Sequence, residues 1–353
     1  MKKTFVCEFQ ENEAVDTIFL VKNKTLSMGK TGKPYLSVSL MDKTGDIDGK
    51  VWDDAEKFSQ KFEIDDFARV RGRVVSYMGK LQLKINNITA IDDGEVPIAD
   101  FLPTADRDLE EMFSDLLGIV DSIKDRYVKE LMIRLIEDPV LSLALKQAPA
   151  AKGMHHVYLG GLLEHILSLC SLIDTVCAHY GNKVNRDLLI AGAILHDIGK
   201  TRELSFKRAF GYTDEGRLLG HITIGVEIVA DKAREIENFP HELSVLLKHM
   251  ILSHHGEYEY GSPKRPKTLE ATILSYLDDL DAKVNSIQTM IDADLNNGSN
   301  WTGYHRLYER YIYKDNLLSR TQEEVDVDEP QERYSNEDKE QNGREKISLF
   351  GSQ

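Results

Sequence analysis

All eleven histidines of this 353-residue chain fall between His155 and His305, and none precedes them. A single uniform domain would scatter imidazoles along its length, so the chain divides into a part that does without histidine and a part that collects it. Length agrees, because 353 residues exceed the roughly 100–200 of an ordinary domain. No apolar run approaches the roughly 18–20 residues that cross a bilayer. Met1-Lys2-Lys3 is followed by Glu8, Glu11 and Glu13 rather than an apolar stretch, so no secretory signal is expected and the cytoplasm is the expected location. Cys7, Cys170 and Cys177 form no CxxC pair, and they are expected to be reduced thiols in packed positions.

The histidine-free part reads as short β-type runs at 17–21, 35–40, 47–52, 68–75 and 81–85, several of which alternate apolar and polar residues as half-buried strands do. Glycine- and proline-bearing turns separate them, and residues 53–62 between the third and fourth runs read as one short helix with Asp53 or Asp54 as its cap. Five strands with a helix after the third resembles the OB-fold of nucleic-acid-binding domains. OB barrels hold single strands by stacking bases on aromatic rings beside a basic groove. The resemblance nominates Tyr35, Trp52 and Tyr77 with Lys33, Arg71, Arg73 and Lys80; the alternative for each is a core, edge or solvated-face residue.

A net charge of −15 argues against a polyanionic partner until it is resolved by region. Residues 321–353 hold ten acids against four bases, few large apolar residues, and the composition of a disordered tail. Residues 22–41 carry four lysines and no acid, and residues 69–84 carry five basic residues and no acid. The global sign conceals two basic stripes within the strands.

After a linker at 93–103, residues 106–123 and 127–135 carry apolar residues at helical spacing and form a helical connector. Further on, residues 187–195 are almost wholly apolar and end in His196-Asp197. A helix apolar all round is buried, and an imidazole and a carboxylate at its end are costly there unless paired or bound to metal. His196-Asp197-Ile198-Gly199-Lys200 resembles the motif of HD-domain phosphohydrolases. His165, 31 residues earlier, suits that family's first ligand. His221, the pair His254-His255, and Asp278 within Leu277-Asp278-Asp279-Leu280-Asp281-Ala282 complete the set, each on a different expected helix.

The resemblance to the two-metal HD branch implies a first ion held by His165, His196, Asp197 and Asp278, and a second held by Asp197, His221, His254 and His255. It prefers Asp278 because the family places a ligand four residues before an alanine; Asp281 is the alternative, with one of the two carboxylates holding metal and the other orienting a histidine. Histidine and carboxylate suit Mn, Fe, Co or Zn, and the resemblance favours manganese. Two ions about 3.5–4 Å apart would activate water and clamp a phosphoryl centre. Asp197 and Lys200 are the expected catalytic residues, with Lys200 placing positive charge on phosphoryl oxygens; the alternative for Lys200 is a solvent-facing lysine. Lys264 and Arg265, and also His155 and His156, are candidate substrate contacts. His179, His241 and His249 read as hydrogen-bonded core residues.

The expected organisation is therefore a multidomain β + α chain: an OB barrel at 1–95, linker and connector at 96–145, an all-α HD domain at 146–315 and an acidic tail at 316–353. Through about residue 315 this resembles the YhaM-type 3′-5′ exoribonucleases of Gram-positive bacteria, carried by 155–165, 196–200, Ser253-His254-His255-Gly256 and 277–284. The family implies manganese-dependent hydrolysis of single-stranded RNA, and of single-stranded DNA as a second substrate, from the 3′ end to nucleoside monophosphates. A homo-oligomer is a plausible assembly, and no membrane partner is expected. Two alternatives are a phosphohydrolase of nucleotides or cyclic dinucleotides and a metal-stabilised RNA-binding scaffold without turnover.

Overall fold

The computed structural model describes residues 4–29, 32–92, 96–151, 158–206, 211–294, 299–306 and 308–314. His155, His156 and the acidic tail expected at 316–353 lie outside the described residues. Two compact units are present, Met1–Asp292 and Ala293–Gln353.

The first unit begins with a five-stranded closed barrel: β1 (Ala14–Met28), β2 (Pro34–Asp42), β3 (Gly45–Val51), β4 (Phe67–Tyr77) and β5 (Lys80–Ala90), in the order β1-β2-β3-β5-β4. Neighbours are antiparallel except β3 and β5, which run parallel through Asp48↔Gln82, Gly49↔Leu83 and Lys50↔Lys84. Alternation builds the core. Leu36, Val38 and Leu40 of β2, Val70 and Val74 of β4, and Leu83, Ile85 and Ile88 of β5 point inward. Closure leaves no free sheet edge, which an open sheet of this size would have to protect.

Strand β1 is fifteen residues long, three times the expected run. Its first half pairs with β4 and buries side chains; past the irregularity at Val21/Asn23 it pairs with β2 while its side chains are largely exposed. Backbone pairing thus continues where the hydrophobic alternation stops. The helix after β3 is also shorter than expected, Ala55–Ser59, and Asp54 at its start is left-handed (φ 54°) with no side-chain capping bond. Ala55 and Phe62, at and just beyond this helix, are buried in the barrel core.

The segment read as a linker carries Phe101 and Leu102, both buried with Leu20, Phe67 and Leu159 in a small apolar cluster of their own. Beyond it come α2 (Leu109–Asp121), α3 (Arg126–Glu137), α4 (Pro139–Gln147), α5 (Gly161–Tyr180), α6 (Arg186–Leu195), α7 (Lys200–Glu203), α8 (Asp214–Arg234), α9 (His241–Ser253) and α10 (Leu269–Ala293). Asp108, Asp125 and Asp138 cap α2, α3 and α4 through backbone N–H groups of the first turn. One large core unites residues of α2 to α6 and α8 to α10.

Gly161–Lys183 is long and apolar enough to cross a membrane by length and composition alone, contrary to the expectation that no such run exists. Its Leu162, Leu163, Ile166, Leu169 and Ile173 are packed within the helical core. Two histidine readings and one cysteine reading change as well. His179 and His241 are exposed rather than core residues, and Cys7 is exposed rather than packed.

Candidate metal centre

Helix α6 is buried from Leu188 to Leu195, so its C-terminal end carries His196 and Asp197 into the interior. Four other elements meet them there. His165 comes from α5, His221 from α8, His254 and His255 from the end of α9, and Asp278 from α10. His165 Nε2 lies 3.3 Å from His196 Nε2 and 3.2 Å from Asp278 Oδ1. Asp197 Oδ2 is 3.3 Å from His196 Nε2, while Asp197 Oδ1 is 3.5 Å from His221 Nε2 and 3.6 Å from His254 Nε2. Ligand atoms of His165, His196 and Asp197 lie within 4.8 Å of one another, and so do those of His221, His254 and His255.

Two glycines make this approach possible. A β-carbon on Gly199 would overlap the His221 carbonyl oxygen. Gly220 adopts φ 73° inside α8, a left-handed conformation that breaks the helix one residue before His221. The break turns the His221 backbone N–H to Glu203 Oε1 at 3.0 Å, with His221 Nδ1 3.2 Å from the same oxygen.

The other ring nitrogens are held in the same manner. His196 Nδ1 faces the Ala193 carbonyl at 2.9 Å, His254 Nδ1 the Ile251 carbonyl at 2.7 Å, and His255 Nδ1 the Tyr260 carbonyl at 3.0 Å. His165 Nδ1 sits 2.6 Å from Asp281 Oδ2, and Asp281 also accepts from the Ser168 hydroxyl. Each Nδ1 facing a carbonyl donates to it, so the inward Nε2 carries a lone pair. Asp278 therefore faces the inward nitrogens, and Asp281 orients a histidine from behind. Asp197 Oδ1, His221 Nε2 and His254 Nε2 are buried without a hydrogen-bond partner. Three orphaned polar atoms converging in one spot would be costly, and a cation between them removes that cost. The donor set fits a divalent metal.

Charge follows the same logic. Burial pushes the Asp197 carboxyl up, but Lys200 and His196 outweigh it and hold the group well below the usual range. Lys200 Nζ donates to Asp197 Oδ2 at 2.6 Å with its side chain only 12% exposed, so it is not a solvent-facing helix-end lysine. Burial drives His254 down to about 3, keeping the ring neutral as a ligand must be. Burial also opposes protonation of His165, yet Asp278 and Asp281 raise it to about 9. The carboxylates demand positive charge there, and a metal ion held by these groups would supply it in place of the proton.

A cleft of about 500 Å³ opens onto this cluster, lined by Asp197, Lys200, His254, His255 and Asp278. Arg265 also lines it, but is held by Glu257 at 2.7 Å. Lys264 is exposed, and it is not among the residues lining the cleft.

On the barrel, Tyr35 and Trp52 stack with ring centroids 5.1 Å apart, and Lys50 Nζ lies 5.1 Å over the Tyr35 ring. Trp52 is 51% exposed, and Tyr77 at the β4–β5 turn is 65% exposed. Strand register aligns Ser37, Lys50, Lys84 and Arg73 in one row across β2, β3, β5 and β4. Arg73 donates to the Asn12 carbonyl at 2.9 Å. Arg71 is different: its guanidinium is paired with Asp16 at 3.1 Å, beside Arg69 at 2.7 Å from the same carboxylate. Lys33, just before β2, and Lys80, the first residue of β5, are exposed.

A family model of the HD domain matches residues 162–283, and one of an OB-fold nucleic-acid-binding domain matches residues 20–91. The chain is 38% identical over 288 residues to the 3'-5' exoribonuclease YhaM of Geobacillus sp. (strain WCH70), covering 81% of this chain and 88% of that one. It belongs to the YhaM exoribonuclease family. YhaM of Bacillus subtilis (strain 168) is 37% identical over 281 residues, 79% of this chain and 88% of the other. The HD domain of the Listeria monocytogenes phosphodiesterase PgpH is 22% identical over 44% of this chain and 80% of that one, with a TM-score of 0.29, too slight a likeness to argue from.

Within this YhaM-family chain, three residues of the two sites escaped the sequence reading. Glu203 orients His221, yet sits 18 residues from it, and only the kink at Gly220 brings them together. Lys50 lies over the Tyr35 ring, and Lys84 follows it in the outward row. Lys50 was within reach, since it shares the outward parity of Trp52 two residues on.

Proposed function

We propose that this protein is a metal-dependent 3′-5′ exoribonuclease that shortens single-stranded RNA from its 3′ end to nucleoside monophosphates. The observation that carries this reading is the set of buried, unpartnered ligand atoms of Asp197, His221 and His254 at the head of an open cleft, in a chain that also has an OB barrel. His165, His196, Asp197 and Asp278 would hold one divalent ion, and Asp197, His221, His254 and His255 a second; manganese is the proposed metal. Bound there, the ions supply Lewis acidity toward a phosphodiester and lower the pKa of water.

The protein's own groups do the remainder. Asp281 and Glu203 fix the rings of His165 and His221 from behind. Lys200 ties down Asp197 Oδ2, leaving Oδ1 toward His221 and His254, and lends positive charge to the cleft wall where phosphoryl oxygens would lie. The barrel, with Tyr35, Trp52 and the row of Lys50, Lys84 and Arg73, is the proposed capture surface for the single strand. The proposed division assigns 1–95 to capture and 146–315 to hydrolysis.

A 5′-labelled RNA incubated with Mn²⁺ should lose nucleotides one at a time, and a 3′-blocked RNA should not. Chelation should stop the reaction and Mn²⁺ restore it. Internal cleavage of the 3′-blocked RNA, or turnover indifferent to chelation, would sink the assignment.

A further inference from the structure

The cleft beside the metal cluster has walls that the proposed chemistry leaves unused. One wall is the loop of residues 256–266, and the other is the face of α10 that carries Thr272, Ser275 and Tyr276. Tyr260 stands on the loop wall and Tyr276 on the helix wall, 71% and 72% exposed. Neither belongs to the helical core. A tyrosine packed away buries roughly 150–250 Å², so two such rings left in water around one cavity are available to a ligand. Arg265, on the loop wall, is held by Glu257 at 2.7 Å and lies over the Tyr258 ring at 5.2 Å. The exposed lining of the cleft thus offers two free aromatic faces beside Glu257 and Asp279, while the buried lining holds Lys200, Asp197 and Asp278.

We propose that this cleft seats the nucleoside of the RNA's last nucleotide, with Tyr260 and Tyr276 stacking on its base while the adjoining phosphate reaches the metal cluster. This rests on the exoribonuclease reading. A volume of about 500 Å³ lies within the range that one small ligand fills. Every base offers a π-face, so stacking here tolerates any sequence, as an enzyme that shortens a strand step by step requires.

The test compares two RNAs of equal length on the full-length, Mn²⁺-loaded protein, one with an intact 3′-terminal nucleotide and one whose terminal residue is abasic. The wild type should lose about tenfold or more in kcat/KM on the abasic RNA, the size of one lost base stack. Tyr276→Ala should lose a similar factor on intact RNA yet match the wild type on abasic RNA, and Tyr276→Phe should restore the intact-RNA rate. Equal losses on both RNAs, or none on either, overturn the proposal. A wild type that degrades neither RNA but hydrolyses a mononucleotide or cyclic dinucleotide sinks the exoribonuclease reading, and this proposal with it.

Discussion

The barrel and the helical part handle polar groups in opposite ways. On the barrel, outward-facing side chains are exposed and many find partners among themselves: Arg69 and Arg71 share Asp16, and Lys22 pairs with Asp46 at 2.5 Å. Exposed pairs of this kind contribute roughly 0–1 kcal/mol and are screened by salt. In the helical part, Asp197, His196 and His254 are almost wholly buried, and Asp197 Oδ1 and His254 Nε2 have no hydrogen-bond partner. A surface built from exchangeable contacts suits a ligand that must slide. A buried cluster with orphaned atoms suits a fixed ion. Loss of one group should therefore be graded on the barrel and near-total in the cluster.

The largest effect tests that contrast directly. Asp197→Asn preserves volume but removes the carboxylate around which His196, His221 and His254 gather. Hydrolysis should fall by about 10³-fold or more, some 4 kcal/mol of lost transition-state stabilisation, while RNA affinity measured by fluorescence anisotropy stays at the wild-type value. A parallel loss of affinity would mean that the cluster, and not the barrel, does the capturing.

How much of this was legible in the sequence follows from the same contrast. His196-Asp197 stood out because an apolar helix cannot carry that pair inward without a reason, and strand alternation gave the barrel its inner face. The preference for Asp278 over Asp281 came from the family resemblance alone, because both project toward the same histidine and only side-chain geometry separates the nitrogen each one faces. The second half of β1 was invisible since its pairing is made by backbone alone. The pairing of Arg71 with Asp16 spans 55 residues and depends on β1 lying beside β4. Local pattern thus reveals burial, and misses contacts made through closure of the barrel or through the kink at Gly220.

A second, smaller effect separates the two regions by pH. The folded protein holds the His165 proton up to about 9, against an ordinary 6.5. That proton's contribution to stability is complete below pH 6.5 and is lost as pH rises through 9. A metal held by His165 would have to displace it, so Mn²⁺ affinity should climb about tenfold per pH unit from 7 toward 9 and then flatten. His254, driven down to about 3, has no proton to release in that window. The barrel strands contain no histidine, so metal-free RNA binding should lack this slope. Calorimetric Mn²⁺ titrations at pH 7, 8 and 9 would reveal it, and a flat profile would remove His165 from the ligand set.

The smallest effect lies within the barrel itself. Arg71 and Arg73 are two residues apart on one strand and share its outward face, yet their surroundings differ. Arg71 already has Asp16 beside it, so a phosphate would have to compete with a carboxylate for its guanidinium. Arg73 donates to a neutral carbonyl and lies in register with Lys84 and, across β5, Lys50, none of which is opposed by an acid within that row. Lys84→Ala and Arg73→Ala should each weaken RNA binding and reduce the slope of log affinity against log salt by up to about one. Arg71→Ala should reduce that slope by less, because Asp16 already engages the guanidinium that a phosphate would need. If all three substitutions reduce the slope equally, Asp16 does not shield its partner, and the strand's charge acts as a continuous stripe rather than as a row of separate contacts.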